Sequence, residues 1–241
     1  MKRKLKKYTK RRLRRIRRYL KAYAAAPDHE ILHKLRLEIK KLRALLKMLH
    51  YHNAKFDQRK IFVPFKEIFK ACGAIRDPYV MRTLSEKFTG EAFPSATENP
   101  QRIRKFTKRV PEYIKQLQSI EKPFLREVKH VNTRSYRKYV KQMKQRLKRR
   151  LFPDFKKKQL HSSRRSIKDI GYLLDITKKK KTIHPFYDHA SDIIGEWHDK
   201  QVLLNRLRDM DASKPELREE LQQRSKEDLV KLKAQLKQFY R

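Results

Sequence analysis

Apolar residues recur every three or four positions along most of this chain, and a strict alternation of apolar and polar residues is nowhere sustained. The first spacing places apolar side chains on one face of an α-helix, whereas a half-buried strand requires the second. Only 4 of the 241 residues are glycine, and the long periodic segments consist largely of Leu, Lys, Arg, Glu and Gln, which favour helix. The sequence therefore predicts an all-α fold.

Proline, glycine and polar residues divide this pattern into two similar series of helices. The first series is predicted at Leu5–Ala26, Leu32–Leu49, Ile61–Ala71, Tyr79–Phe88 and Gln101–Ser119. The second series is predicted at Arg134–Phe152, Gln159–Thr177, Phe186–Gly195, Lys200–Met210 and Pro215–Tyr240. Breaks are expected between them, including a turn at "CGAIRDP", a loop at "TGEAFPSATENP" and a break at "KKKKTIHP".

The two series form an internal repeat. An offset of 128 residues aligns "LHKLRLEIKKLRALL" with "LHSSRRSIKDIGYLL" and pairs His33 with His161. Downstream, "GAIRDPYVM" aligns with "GEWHDKQVL", which pairs Gly73 with Gly195. Each histidine-bearing helix also follows a very basic helix and a Pro-Asp pair. These correspondences occur in the same order and indicate two related helical halves, at about 1–125 and 126–241, within one domain of residues 1–241.

The segment "LHKLRLEIKKLRALLKML" carries a row of basic residues with apolar residues on both sides. At about 100° per residue, the row comprises His33, Arg36, Lys40, Arg43 and Lys47. One flank is Leu32, Leu35, Ile39, Leu42, Leu46 and Leu49, and the other is Leu37, Ala44 and Met48. The remaining face is the mixed-charge set Lys34, Glu38 and Lys41. Since a solvated face is not normally bordered by apolar residues in this way, the row is predicted to line a groove.

The second half repeats this row only in part. His161, Arg164 and Lys168 match the first three positions, but Gly171 and Asp175 replace Arg43 and Lys47. We therefore expect the first half to bind an anion more tightly than the second.

The net charge indicates the kind of partner that such rows would bind. Lys and Arg number 66 against 26 Asp and Glu, which gives a net charge of +40 and favours a polyanion or an anionic surface. Arginine offers a planar fork to phosphate, lysine a mobile point charge and histidine a donor that can gain charge. A charge run on a helix is usually solvent-facing, but the same H-x-x-R-x-x-x-K spacing on two leucine-flanked helices favours phosphate binding.

At these residues the chain resembles the CHAD domain, the conserved histidine α-helical domain, which binds inorganic polyphosphate. The resemblance rests on "LHKLRLEIKKLR" and "LHSSRRSIKDI", with "GAIRDPYV" and "GEWHDKQV" after them, and covers essentially the whole chain. It implies two pseudo-symmetric four-helix bundles with a basic central groove or pore. It also implies polyphosphate contacts at His33, Arg36, Lys40 and Arg43, and at His161, Arg164 and Lys168.

Further basic residues are added to the predicted polyphosphate site. They are Lys47 and Arg76, Arg12 and Arg15 of the first helix, and Arg146 and Arg150 of the corresponding helix in the second half. Asp77 and Asp199 are expected to cap helices, with the orientation of basic side chains as the alternative. Cys72 is expected to be a buried small residue.

Enzymatic activity is not expected. The chain contains no G-x-x-x-x-G-K-[ST] loop, no H-E-x-x-H pair and no cysteine cluster, so neither a metal nor a cofactor is predicted. Phosphohistidine chemistry at His33 or His161 is a remote alternative, because no nucleotide site accompanies either residue.

The predicted partner is inorganic polyphosphate, bound without catalysis. The alternative is an architectural protein that binds nucleic acid, since a charge of +40 supports that equally well, and weak nucleic-acid binding is expected in either case. Without an apolar run of membrane-spanning length or a secretory signal, a cytoplasmic location is expected, and the resemblance implies association with polyphosphate granules.

Overall fold

The computed structural model describes residues 1–92, 99–177, 185–209 and 215–240. Helix accounts for 90% of this part of the chain, which contains no strand, so the predicted all-α class is confirmed. The α-helices within it are α1 (Lys2–Ala25), α2 (His29–His52), α3 (Gln58–Thr89), α4 (Pro100–Lys108), α5 (Val110–Val128), α6 (Thr133–Leu151), α7 (Lys157–Leu174), α8 (Pro185–Asp209) and α9 (Pro215–Tyr240). A 3₁₀ turn, Asp175–Thr177, follows α7.

The helices form two compact units. Among the described residues, unit 1 contains 1–79, 99–141 and 175–177, and unit 2 contains 80–92, 142–174, 185–209 and 215–240. Each unit draws residues from both sides of position 125, and the predicted single domain with two halves stays a prediction.

The core of unit 1 forms where the apolar faces of α1 and α2 pack together. Asp28 begins α2, and its side chain accepts a hydrogen bond from the backbone N–H of Glu30. The predicted stripe on α2 is confirmed as core, since all six of its residues are buried: Leu32, Leu35, Ile39, Leu42, Leu46 and Leu49. Glu38 is also buried, at 3% exposure, so the predicted mixed-charge face is wrong at that position, because α1 covers it.

The turn predicted at "CGAIRDP" is wrong, because α3 continues through it as one helix. Pro78 lacks a backbone N–H and so leaves the carbonyl of Ala74, four residues earlier, without its usual helical donor. The Arg102 side chain of α4 donates to that carbonyl instead, at 3.1 Å. A residue distant in sequence therefore satisfies the carbonyl that Pro78 leaves unpaired.

Two other predicted helix boundaries also differ from the structure. The single helix predicted at Gln101–Ser119 is divided at Arg109, because Pro111 follows in the first turn of α5. Conversely, α8 has no break near residue 196, and its Lys200 is buried against Asp228 of α9 at 2.6 Å. The loop predicted around 93–98, the break around 178–184 and the helix end at Met210 lie outside the described residues.

The core of unit 2 lies between α6, α7, α8 and α9. It includes Leu147, Leu160, Ile194 and Leu232, which are all fully buried. Trp197 and the aromatic residues at the end of α9 pack against this cluster. This packing fixes α7 beside α8.

Candidate anion-binding sites

The basic row of α2 lies at the surface of unit 1, with its members buried to different degrees. His33 and Lys47 are exposed, whereas Arg36, Lys40 and Arg43 are partly buried. The row therefore combines exposed basic residues with basic residues that are partly covered.

Arg36 is fixed in place against α3. Its Nη1 donates to the backbone carbonyl of Phe69 at 3.2 Å, and its guanidinium lies 4.1 Å from the centre of the Phe69 ring. The guanidinium also lies directly over Gly73, where a Cβ would overlap Nη1. Glycine in a helix interior costs stability relative to alanine, and here it provides the space that Arg36 occupies.

Other cations of unit 1 lie close to Arg36. The Lys40 Nζ is 5.9 Å from the centre of the Phe69 ring. Desolvation of the His33 ring by its neighbours, together with the charge of Arg76, lowers the pKa of His33. The Nε atoms of Arg43 and Arg76 are buried, and no described residue accepts a hydrogen bond from either.

Unit 2 contains the same arrangement of arginine and glycine. Arg164 of α7 donates from Nε to the backbone carbonyl of Ser191 of α8 at 3.1 Å. A Cβ on Gly195 would lie 2.6 Å from Arg164 Nη2. In each unit the accepting carbonyl belongs to the residue four positions before the glycine, so the two arginines are held in the same way.

The surroundings of Arg164 differ from those of Arg36. The ring of His161 lies 4.6 Å from that of His198 between centres, where unit 1 has Arg76 beside His33. Burial, with the charge of Arg164, lowers the pKa of His198. Unit 2 therefore has the imidazole of His198 where unit 1 has the guanidinium of Arg76.

The charge on the neighbouring helix also differs between the units. Burial lowers the pKa of Lys168, and the carboxylates of Asp192, Asp188 and Asp199 oppose that effect. Pairing Gly73 with Gly195 aligns Asp188 and Asp192 with Lys66 and Lys70 of α3, and all four side chains are exposed. At these two positions the neighbouring helix is thus basic in unit 1 and acidic in unit 2.

Arg12 and Arg15 were predicted to contact the anion, but both lie beside Glu38. Arg12 Nη1 is 2.9 Å from each Glu38 carboxylate oxygen, and Arg12 is 4% exposed. Arg15 Nη1 is 3.4 Å from Glu38 Oε1 and keeps 42% of its side chain exposed. Because Arg12 is buried and neutralised by a carboxylate, we leave it out of the proposed site.

The basic residues predicted on α6 lie in unit 2. Arg146 is exposed, and Arg150 Nη1 is 3.4 Å from the hydroxyl of Ser166 of α7. No described contact joins either residue to Arg164.

Three assignments made for acidic residues need correction. Asp77 and Asp199 lie inside α3 and α8, so neither caps a helix, but their carboxylates interact electrostatically with Arg36 and Arg164. Asp175 does not occupy a position in unit 2 equivalent to Lys47, because α7 ends at Leu174 and Asp175 begins a 3₁₀ turn assigned to unit 1. The acidic residues near Lys168 are those of α8 instead.

Cys72 is buried, as predicted.

The sequence interpretation missed the lysines and aspartates on α3 and α8 because it placed a turn at each glycine. Extending the alignment of Gly73 with Gly195 seven residues toward the N-terminus would have found Lys66 and Asp188.

In the described ranges no three His, Cys, Asp or Glu side chains form a group that could hold a metal ion. No helix in this part of the chain is long and apolar enough to cross a membrane. We compared the chain with protein-family models, with curated proteins and with solved structures, and none of them matches it.

Proposed function

We propose that this protein binds inorganic polyphosphate without catalysing a reaction, and that unit 1 supplies the stronger site. The observation that carries this proposal is the fixed position of Arg36, bonded to the Phe69 carbonyl over Gly73. That contact uses one of its five N–H donors and leaves others for phosphate oxygens. Lys40, with Lys66 and Lys70 from α3, extends the positive charge around it.

A linear polyanion suits this row better than a single phosphate. From His33 to Lys47 the row extends 14 residues along α2, or about 21 Å at 1.5 Å per residue. A chain of phosphates could contact successive cations and release condensed counterions as it binds, as other polyanions do. The resemblance to the CHAD domain adds to this proposal, with its two pseudo-symmetric four-helix bundles and its central groove or pore. A cytoplasmic protein associated with polyphosphate granules is the corresponding biological setting.

The test is a titration of long-chain polyphosphate at several salt concentrations. Arg36→Gln/Lys40→Gln should weaken binding by about 100-fold or more, because each of the two lost charge-assisted hydrogen bonds contributes about 1.5 kcal/mol or more and 1.4 kcal/mol corresponds to a factor of ten. Arg164→Gln/Lys168→Gln removes the same charge from unit 2 and should cost only a few-fold. Equal losses in the two variants would contradict the assignment to unit 1.

Gly73→Ala should separate stability from binding. Alanine is favoured over glycine in a helix interior by about 1 kcal/mol, and the atoms that its Cβ would meet are the movable end of Arg36. We therefore expect unfolding to cost up to about 1 kcal/mol more, while polyphosphate affinity falls about five- to tenfold because Arg36 is displaced.

Gly195→Ala is the matched control for this substitution. It should give a similar gain in stability, measured by urea unfolding, with a smaller loss of affinity. Clear destabilisation by Gly73→Ala would show that backbone packing, rather than the position of Arg36, requires this glycine.

The rival proposal for the same row is nucleic-acid binding. Single-stranded binders usually place stacking aromatic rings among their cations, but Phe65 is buried and Phe69 already lies against Arg36. Duplex DNA that displaced polyphosphate from the row at equal phosphate concentration would favour the rival. Incubation with labelled polyphosphate and nucleotide tests the remote phosphohistidine alternative, and turnover would contradict non-catalytic binding.

A further inference from the structure

The outer face of α1 is a densely basic surface. Helix α1 contains 13 Lys and Arg residues and no acidic residue. Its outer face is formed by eight exposed cations: Arg3, Lys6, Lys7, Lys10, Arg11, Arg14, Arg18 and Lys21. No carboxylate of the described residues pairs with any of them, so their charges are not neutralised within the protein.

This outer face is separate from the basic row of α2. Glu38, which pairs with Arg12 of α1, follows His33 by five residues and therefore projects about 140° away from it. Arg36, in contrast, contacts α3. Helices α1 and α3 thus pack on different sides of α2, and the outer face of α1 points away from its own contact with α2.

Forming this face opposes helix stability in two ways. Like charges at i and i+4 repel, as between Lys6, Lys10 and Arg14. The first turn also contains three cations and no acid. These cations are repelled by the positive end of the helix dipole. A polyanion bound along the face would relieve both effects.

The shape of the face favours a duplex over a single chain or a membrane. The eight cations spread over an arc of about 140° along a helix about 36 Å long, which is wider than one linear polymer needs. The leucine and isoleucine side chains of α1, such as Leu13 and Ile16, are fully buried, so none of them is left to enter a bilayer.

We propose that the outer face of α1 binds double-stranded DNA without sequence specificity, as a second polyanion surface distinct from the row on α2. The major groove of B-form DNA is about 12 Å wide and admits an α-helix, whereas the major groove of duplex RNA is too narrow. Cations on the two edges of the arc then reach the phosphates of both strands. The face has no Asn, Gln, Asp or Glu side chain, so it lacks the groups that read adenine or cytosine edges.

The test measures binding of a random-sequence DNA duplex by fluorescence anisotropy over a range of salt concentrations. Lys7→Gln/Lys10→Gln/Arg14→Gln should weaken DNA binding at least tenfold. It should also reduce the slope of log affinity against log salt by about 0.9 for each phosphate that the variant no longer neutralises. Lys226→Gln/Lys231→Gln/Lys237→Gln, at exposed positions of α9, removes the same charge and should change DNA affinity less than threefold.

Two further measurements separate this proposal from polyphosphate binding by unit 1. Arg36→Gln/Lys40→Gln should lower the affinity for polyphosphate and leave the affinity for DNA unchanged. The α1 variant should lower the affinity for DNA and leave the affinity for polyphosphate unchanged. DNA affinity that falls equally in the α1 and α9 variants would overturn the DNA proposal and leave the polyphosphate proposal intact. Tighter binding to phosphatidylserine vesicles or duplex RNA than to DNA, lost in the α1 variant, would also overturn it. Failure of the wild-type protein to bind polyphosphate, with DNA binding as described, would overturn only the first proposal.

Discussion

Glu38→Gln is expected to lower the free energy of unfolding by about 3 to 5 kcal/mol, because it leaves a buried charge without a partner. The Glu38 carboxylate is 3% exposed and lies 2.9 Å from Arg12, which is also buried. It also lies 3.2 Å from Lys41 Nζ. Glutamine keeps the size of the side chain but removes the negative charge, so the cations remain together without compensation.

Urea unfolding followed by far-UV circular dichroism measures this loss, and two other variants identify its cause. Glu121→Gln breaks the Arg17–Glu121 pair, whose side chains are 24% exposed, and should cost about 1 kcal/mol or less. Arg12→Leu/Glu38→Leu removes both buried charges and should recover part of the loss. A Glu38→Gln variant as stable as Glu121→Gln would contradict the role assigned to this cluster.

The sequence predicted helices well where local signals agreed. Helices α1, α2, α6 and α9 begin and end close to their predicted bounds because apolar periodicity and polar or proline breaks coincide. At Pro78 the local signals predicted a turn, but the donor that lets α3 continue, Arg102, lies 28 residues away from Ala74. Propensity cannot reveal such a donor, because tertiary packing supplies it.

The candidate site was predictable in part for the same reason. The arginines of the two rows, Arg36 and Arg164, follow from the repeat, and each has the same contact with a carbonyl and a glycine. The burial of Arg12 was not predictable, because it depends on how α1 packs against Glu38 of α2. In a chain with 66 Lys and Arg residues, spacing alone cannot tell a cation that pairs internally from one that remains available.

The charge beside the two rows is opposite in sign in the two units: α3 carries Lys66 and Lys70 where α8 carries Asp188 and Asp192. Lys66→Asp/Lys70→Asp should reduce polyphosphate affinity about 100-fold at low salt, because two attractive charges near the row become repulsive. All four side chains are exposed, so these changes should alter the free energy of unfolding by less than about 1 kcal/mol. Salt should diminish the effect, since exposed charges are screened.

The reverse exchange tests whether unit 2 lacks only the charge. Arg164 already has the contact with Ser191 and Gly195 that Arg36 has with Phe69 and Gly73. Adding Asp188→Lys/Asp192→Lys to the Arg36→Gln/Lys40→Gln protein should therefore restore at least tenfold in polyphosphate affinity. A further variant adds Lys231→Glu/Lys237→Glu to this protein, which returns the net charge to that of Arg36→Gln/Lys40→Gln alone. It should keep the restored polyphosphate affinity. If the regained affinity were lost in this charge-matched variant, overall charge, rather than the arrangement around Arg164, would control binding.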